Sequence, residues 1–521
     1  MDKKHLSDQL QKLEIPFSTS LTDLICEGHD LWTQNSIEFT TGRPPHGPDA
    51  VVWPENEEQL SKLCSWASKY HIGLVPSGGL SSVTGSATAP SKTIQVSMVS
   101  MNRIIDFDSE NMTVTCEAGI SGNKLMSHLK KHGFTIGHIP SSINISTPGG
   151  WLSTGSAGVY SSRYGKIQDM CLEMNFIGGC GKKYHFSKNS QETNYMSLII
   201  GSEGTMGFIT SVKLRIIPLK STMSVRAIYL NSLEDGFELM KRIMQTDTFP
   251  SILRLYDPIS SIIAMNSGNC DLDNGYLSRI LHSIKGVTPL SQLSHKSLPG
   301  LLKFYNSMSG IINKKFPYII KQNYLLLAGF EGSDEDNAIS HAYVESIGKD
   351  INFKKSSYSQ GKKWFEAYAN YSFKRASVFK NGIFVDTIEI NSTWSKIDKI
   401  YNNINNILSR KAFVTAHFSH AWKDGCCIYF TFAQVISDYD QTIRLFREIW
   451  KEAADEIIRL GGTITHHHGI GRVKGNFFKK DTSDSFWLSN SVKRIFDPEN
   501  IMNPGNMGFT SQLFKSIEDN F

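Results

Sequence analysis

Hydrophobic positions along the chain fall into short runs and helical stripes that alternate with polar segments. Leu6, Leu10, Leu13, Leu21 and Leu24 recur at roughly helical spacing in a polar stretch, which predicts a helical prelude over residues 1–42 with a packing role. The segment Gly42-Arg43-Pro44-Pro45-His46-Gly47-Pro48 lacks the N–H donors of a helix or central strand, so it reads as a rigid, extended entry into a new domain. Over residues 43–218, β-rich runs at 50–53, 71–76, 93–97 and 113–117 alternate with amphipathic stretches. Leu60, Leu63, Cys64 and Ala67 share one helical face within 57–70, and 123–132 repeats the pattern. That order predicts an α/β or α+β domain. In 219–460, helical segments 233–244 and 439–460 surround strand-like 324–330 and 426–432, which predicts a second α/β domain. The tail 461–521 carries a His- and Gly-rich loop, a helix over 485–496 and a stretch of turn formers.

Composition changes this picture little. The 521 residues are 40% hydrophobic and 20% charged, which suits a globular chain with room for more than one core. The net charge of +5 arises from 54 basic and 49 acidic residues spread along the chain, so no basic block points to nucleic acid. The 8 cysteines form no CxxC pair and no zinc spacing, which reads as reduced thiols in a cytoplasmic protein. The first residues hold no apolar core of signal-peptide length and no apolar run of about 18 residues occurs, so neither secretion nor a membrane span is expected. The ending Asp519-Asn520-Phe521 is not a peroxisomal address.

Three loops rich in small polar residues interrupt the first domain. Pro76-Ser77-Gly78-Gly79-Leu80-Ser81-Ser82 has the character of a diphosphate cradle, because backbone amides approach a phosphate where no Cβ intervenes. Alone it is equally a tight turn, since it has neither GxGxxG nor GK[ST]. Ser141-Ser142-Ile143-Asn144-Ile145-Ser146-Thr147 and Thr154-Gly155-Ser156-Ala157 add small donors, and Glu203-Gly204-Thr205-Met206-Gly207-Phe208-Ile209 adds a carboxylate before two glycines. Together they predict a large, many-oxygen ligand, most economically a dinucleotide.

His466-His467-His468-Gly469 lies in a glycine-rimmed loop. In extended backbone at most two of the three imidazoles share a face, so joint metal ligation is not expected; the alternatives are surface histidines or a proton-handling role. Arg254 in an apolar run needs an anionic partner, either Asp257 or a ligand. Arg375 suits a solvated face or a ligand contact. Tyr429 alternates on an apolar strand, as a core residue or a tuned acid–base group.

Ser146-Thr147-Pro148-Gly149-Gly150-Trp151-Leu152-Ser153-Thr154, Arg163-Tyr164-Gly165-Lys166-Ile167-Gln168-Asp169, Gly201-Ser202-Glu203-Gly204-Thr205, Cys427-Ile428-Tyr429-Phe430 and the histidine run resemble one family. They are similar to flavoproteins of the vanillyl-alcohol-oxidase type and, within them, to alkyldihydroxyacetonephosphate synthases. The resemblance implies an α+β architecture: a two-part FAD-binding domain, an α/β substrate (cap) domain and a C-terminal segment returning to the active site. It implies flavin contacts at 76–82, 141–147, 154–157 and 203–209. The flavin is expected to be non-covalent, because the first loop has Leu80 and Ser81 where other members of the superfamily attach FAD through His or Cys. Leu80 also replaces a glycine common in the family pattern, and Gly155 stands where relatives often carry arginine.

The implied reaction exchanges the acyl chain of acyl-dihydroxyacetone phosphate for a fatty alcohol through a flavin N5 adduct, a step of ether lipid synthesis. By resemblance Tyr429 is proton donor and acceptor, and His466, His467 and His468 polarise the ketone or steady the leaving carboxylate. Arg375 matches a phosphate-binding arginine, and Arg254 another arginine near the flavin. No metal is implied. The rival is an FAD-dependent 2-hydroxy-acid dehydrogenase of the D-lactate or glycolate type, whose Gly-Glu-His-Gly stretch is replaced here by His466-His467-His468-Gly469. A flavin-free binding protein on the same scaffold is disfavoured by the donor-rich loops. Lipid-like substrates imply contact with a membrane surface, and a homodimer is compatible with the sequence.

Overall fold

A computed structural model describes residues 3–188, 194–266, 324–351, 353–368 and 375–510. Strands β1 (Phe17–Ser18), β2 (Ala50–Val52), β3 (Gly73–Ser77) and β4 (Thr93–Ser97) form a sheet in the order β1-β2-β4-β3, parallel from β2 to β3. The helix Glu57–Tyr70 covers it. Asn56 caps this helix by accepting from the Glu58 and Gln59 N–H groups, and its apolar face buries Leu60, Leu63, Cys64 and Ala67.

Next come β5 (Ile104–Asp108), β6 (Thr113–Glu117), β7 (Phe134–Thr135), β8 (Cys171–Gly178), β9 (Lys183–Ser187) and β10 (Gly207–Arg215). All but β7 join an antiparallel sheet, β5-β6-β10-β8-β9, while β7 pairs with β11 (Ile217–Pro218). The first half is therefore α+β, with one parallel and one antiparallel layer.

The cap is built on β12 (Thr222–Leu230), β13 (Ile252–Tyr256), β14 (Tyr324–Gly332), β15 (Phe353–Ser357), β16 (Ile383–Thr393), β17 (Phe413–Trp422) and β18 (Gly425–Val435). Their order is β15-β12-β14-β13-β17-β18-β16, and every ladder is antiparallel. The α/β character expected of this part takes the form of an open antiparallel sheet, because none of its neighbouring strands is joined as a parallel βαβ unit; helices Pro258–Asn266 and Tyr358–Tyr368 pack on part of the face opposite the main helical layer. Leu253, Leu255, Ala416, Phe418, Ile428, Phe430, Ile388 and Ile390 pack against the helices Leu233–Met244, Ile397–Ser409 and Tyr439–Arg459. Alternate residues of the same strands face the other way, towards the first half.

The boundary expected at residue 42 is crossed by packing. Leu6 and Leu10 belong to the core of the first sheet, whereas Trp32 and Ile37 belong to the cap core. The tail returns to the first half: Lys493 Nζ donates to Asp497 Oδ2 at 2.6 Å and to the Thr205 carbonyl at 2.5 Å, and Met502 bridges to Leu74. No helix among the described residues is long and apolar enough to cross a membrane.

Candidate active site

The face of the cap sheet opposite its main helical layer carries one row of polar side chains. Tyr256 lies opposite His417, His417 opposite Tyr429, and Tyr429 opposite Glu389, on four adjacent strands. Residues directly opposite in antiparallel ladders point to the same face, so β13, β17, β18 and β16 deliver these groups together. The Tyr429 ring stacks on His417 at 4.6 Å between centroids. It lies 5.3 Å from the His468 ring and 6.4 Å from that of His467. The tyrosine and the histidine run expected to work together are on one wall.

Extended backbone would have splayed the three histidines, but the loop curls around an anion. The N–H groups of His466, His467 and His468 all donate to Glu389 Oε1, at 3.0, 3.0 and 2.6 Å, and Thr465 Oγ1 donates at 2.8 Å. His467 Nδ1 meets Glu389 Oε2 at 2.6 Å. Burial would push the Glu389 carboxyl up, yet the His467 and His468 imidazoles, the bond from His467 and Lys474 hold it well below the usual range. The bond to Nδ1 leaves Nε2 as the His467 nitrogen available to substrate. His466 is lowered to about 3, chiefly by burial, so it stays neutral.

The other end of the loop is held from the first half. Glu203 accepts from the Ile470 N–H and, at 2.7 Å, from the Gly471 N–H. A Cβ on Gly469 would fall 2.5 Å from Glu203 Oε1, and one on Gly471 would fall 2.1 Å from the Thr84 carbonyl oxygen; the rimming glycines are there for close approach. Burial raises the Glu203 carboxyl to about 7 against those N–H donors. The side chain of Glu203 therefore grips the histidine loop, and its carbonyl accepts from Asn503 Nδ2 at 2.8 Å.

The three small-residue loops converge. A Cβ on Gly79 would lie 1.7 Å from the Ile145 carbonyl oxygen, one on Gly78 2.3 Å from Thr147 Oγ1, and one on Gly204 2.8 Å from Pro76. Ser146 Oγ accepts from the Trp151 indole at 2.8 Å, and Thr147 Oγ1 caps the helix Pro148–Thr154. Thr154 bonds back to the Gly150 carbonyl, and Gly155 ends that helix with φ 62°. Ser77, Ser156 and Ala157 are buried, Ser81 and Ser82 half-buried, and Ser141, Asn144 and Ile145 exposed. Ser142 and Ile143 turn between them. Met206, Phe208 and Ile209 are core side chains, so this segment can offer a ligand its backbone. Leu80 adopts φ 52°, a left-handed conformation that favours the glycine it replaces.

Four further groups lie beside these loops, Tyr429 or the histidine run and escaped sequence reasoning. His138 is fully buried, its ring centroid lies 5.0 Å from that of Trp151, and neither ring nitrogen has a partner; its imidazole is pushed down to about 3, first by burial. An orphaned imidazole next to donor-rich loops is what an absent polar ligand leaves behind, and FAD fits it. His417 is held well below the usual imidazole range by burial and then by Arg254. His420, with φ 51° at a break in the β17–β18 register, binds Ser161 Oγ through Nδ1 at 2.6 Å and lies 4.7 Å from the His467 ring. Lys166 Nζ donates to the His466 carbonyl at 2.6 Å.

Arg254 does not pair with Asp257, whose carboxylate instead accepts from Ser260 and Ala416 N–H groups. Its guanidinium reaches Tyr256 Oη at 3.4 Å and lies over the Tyr368 ring at 5.2 Å; among the described residues no carboxylate is within ion-pair distance. Arg375 opens the helix Arg375–Lys380, and its side chain lies outside the described residues. Glu389, Cys427, His466 and His467 bring ligand atoms within 4.8 Å of one another. A metal would have to displace the donors that already occupy both Glu389 oxygens, and burial pushes the Cys427 thiol well up.

Comparison with known proteins identifies the scaffold. Residues 48–187 match the FAD binding domain family, and residues 220–507 match the C-terminal domain of FAD linked oxidases. The alkyldihydroxyacetonephosphate synthase of Caenorhabditis elegans is 24% identical over 530 residues, covering 97% of this chain and 84% of the relative. The glycolate oxidase subunit GlcD of Bacillus subtilis is 22% identical over 471 residues, covering 88% and 89%. A solved alkyldihydroxyacetonephosphate synthase structure superposes with a TM-score of 0.72 at 22% identity, covering 97% of this chain and 85% of that one. With both halves matched, the cofactor is FAD, and the chain belongs to the FAD-linked oxidase family.

Proposed function

We propose that this protein is a transferase of the alkyldihydroxyacetonephosphate synthase type, exchanging the acyl chain of acyl-dihydroxyacetone phosphate for a fatty alcohol. The observation that carries the reading is Tyr429 held between His417 and the His467–His468 pair, with the histidine run bonded to Lys166 and Thr84 of the first half. FAD, which the loops 76–82, 141–147, 154–157 and 203–209 would hold, would supply an electron-rich ring to the exchange. The Tyr429 phenol takes and returns the proton on the carbon beside the ketone. His467, its Nδ1 tied to Glu389, offers Nε2 to the ketone or to the leaving carboxylate. Arg254, short of a carboxylate partner, supplies positive charge for an anionic substrate group, and Arg375 is assigned to the phosphate.

The second reading, a 2-hydroxy-acid dehydrogenase, is favoured by the metal-capable group at Glu389, Cys427, His466 and His467, and opposed by the donors already on Glu389. Incubation of the holoenzyme without oxygen or acceptor, with acyl-dihydroxyacetone phosphate and a labelled fatty alcohol, gives labelled ether under the first reading. Absence of ether together with reduction of a dye by D-lactate or glycolate would replace it with the second.

A further inference from the structure

Lys166 is fixed by its surroundings. Gly165, at φ 82°, turns the chain so closely that a Cβ there would meet Asp169 Oδ2 at 2.4 Å, and the Lys166 N–H donates to that carboxylate at 2.8 Å. The ammonium spends one donor on the His466 carbonyl at 2.6 Å. Among the described residues no carboxylate lies within ion-pair distance of it. Its other side faces Gly155: a Cβ there would find Lys166 Nζ at 3.7 Å and no other atom nearby. Gly155 holds that gap open, because its φ of 62° disfavours a side chain. A largely buried ammonium with unspent donors, beside an opening in the 154–157 loop and under the histidine run, is built to meet an electron-rich acceptor.

We propose that Lys166 places its positive charge beside the ring of the bound flavin and thereby stabilises the reduced cofactor. It rests on the flavin cleft running past residues 154–157 and not on the transferase reading. Two-electron reduction adds negative charge to the ring, and a cation held near it favours that state. The ammonium needs little reorganisation to do so, since the His466 carbonyl already holds it and Asp169 fixes the backbone from which it extends.

The test is the midpoint potential of FAD in the holoenzyme without substrate, measured by dye equilibration in wild type, Lys166→Met, Lys166→Gln and Lys166→Arg. Met and Gln are expected to weaken stabilisation of the reduced state at least tenfold, a drop of about 30 mV for a two-electron couple, while Arg stays within about threefold of wild type. Gln can still donate to the His466 carbonyl, so a shift with Met but not with Gln would assign Lys166 to holding the loop and overturn the proposal. So would unchanged potentials in the charge-free variants, including the case where KM for an anionic substrate rises alone. Should Met fail to fold, Gln and Arg carry the comparison. None of these readings depends on whether ether synthesis is observed.

Discussion

Glu389 Oε2 and His467 Nδ1 lie 2.6 Å apart, although 78 positions separate their backbones in sequence. The carboxylate is fully buried, and the same group collects three successive backbone N–H donors. The histidine loop is thus organised around a negative charge supplied by the neighbouring strand.

Glu389→Gln keeps the shape and removes the charge. Turnover is expected to fall about 100-fold, in the range for losing a positioned acid–base group, and stability by about 3 kcal/mol, as when one partner of a buried pair is removed. FAD content, kcat and the thermal midpoint measure the three parts, and full activity in the variant would show that the charge is dispensable.

Tyr429→Phe is expected to retain stoichiometric FAD while turnover drops at least about 100-fold. Release of the flavin together with activity would mean that the phenol supports structure instead of chemistry.

Much of the architecture was legible in the chain, and the site only in part. The strands Thr93–Ser97 and Thr113–Glu117 and the helix Glu57–Tyr70 have the bounds that local periodicity suggested, because each buries one regular face. Tyr429 and His466–His468 were visible through resemblance. Glu389, His417 and His420 were not, since a lone polar residue inside an apolar strand carries no label until pairing sets it opposite its partners, and neither was His138, which lies in a loop. The curl of the histidine loop was missed because the expectation assumed extended backbone, whereas a buried carboxylate makes successive N–H groups converge.

Leu80→Gly removes a side chain from left-handed backbone. The relief is worth about 1 kcal/mol, so the thermal midpoint should rise and FAD affinity should hold or improve; a lower midpoint would show that Leu80 packing outweighs the strain.

Glu203 makes stability depend on pH. Its folded value of about 7 lies above the ordinary 4.5, so the folded state binds more protons in that window and stability falls as pH rises from about 4.5 to 7. Glu203→Gln should flatten that part of the profile of thermal midpoint against pH. An identical slope in both proteins would remove Glu203 as the source.

Chelator treatment is expected to leave FAD content and turnover unchanged, because the Glu389 oxygens are already filled by N–H and imidazole donors. Stoichiometric zinc in the purified protein, lost with activity on chelation, would contradict this.

Glu389 and Glu203 clamp one short turn from opposite sides, with Thr84 accepting from the Arg472 and Val473 N–H groups at its exit. The imidazoles of His466–His468 consequently reach this posture only after both lobes have matured and docked. Partly assembled chains, even with the dinucleotide loaded, would be silent, and lesions in either lobe would converge on the same biochemical defect.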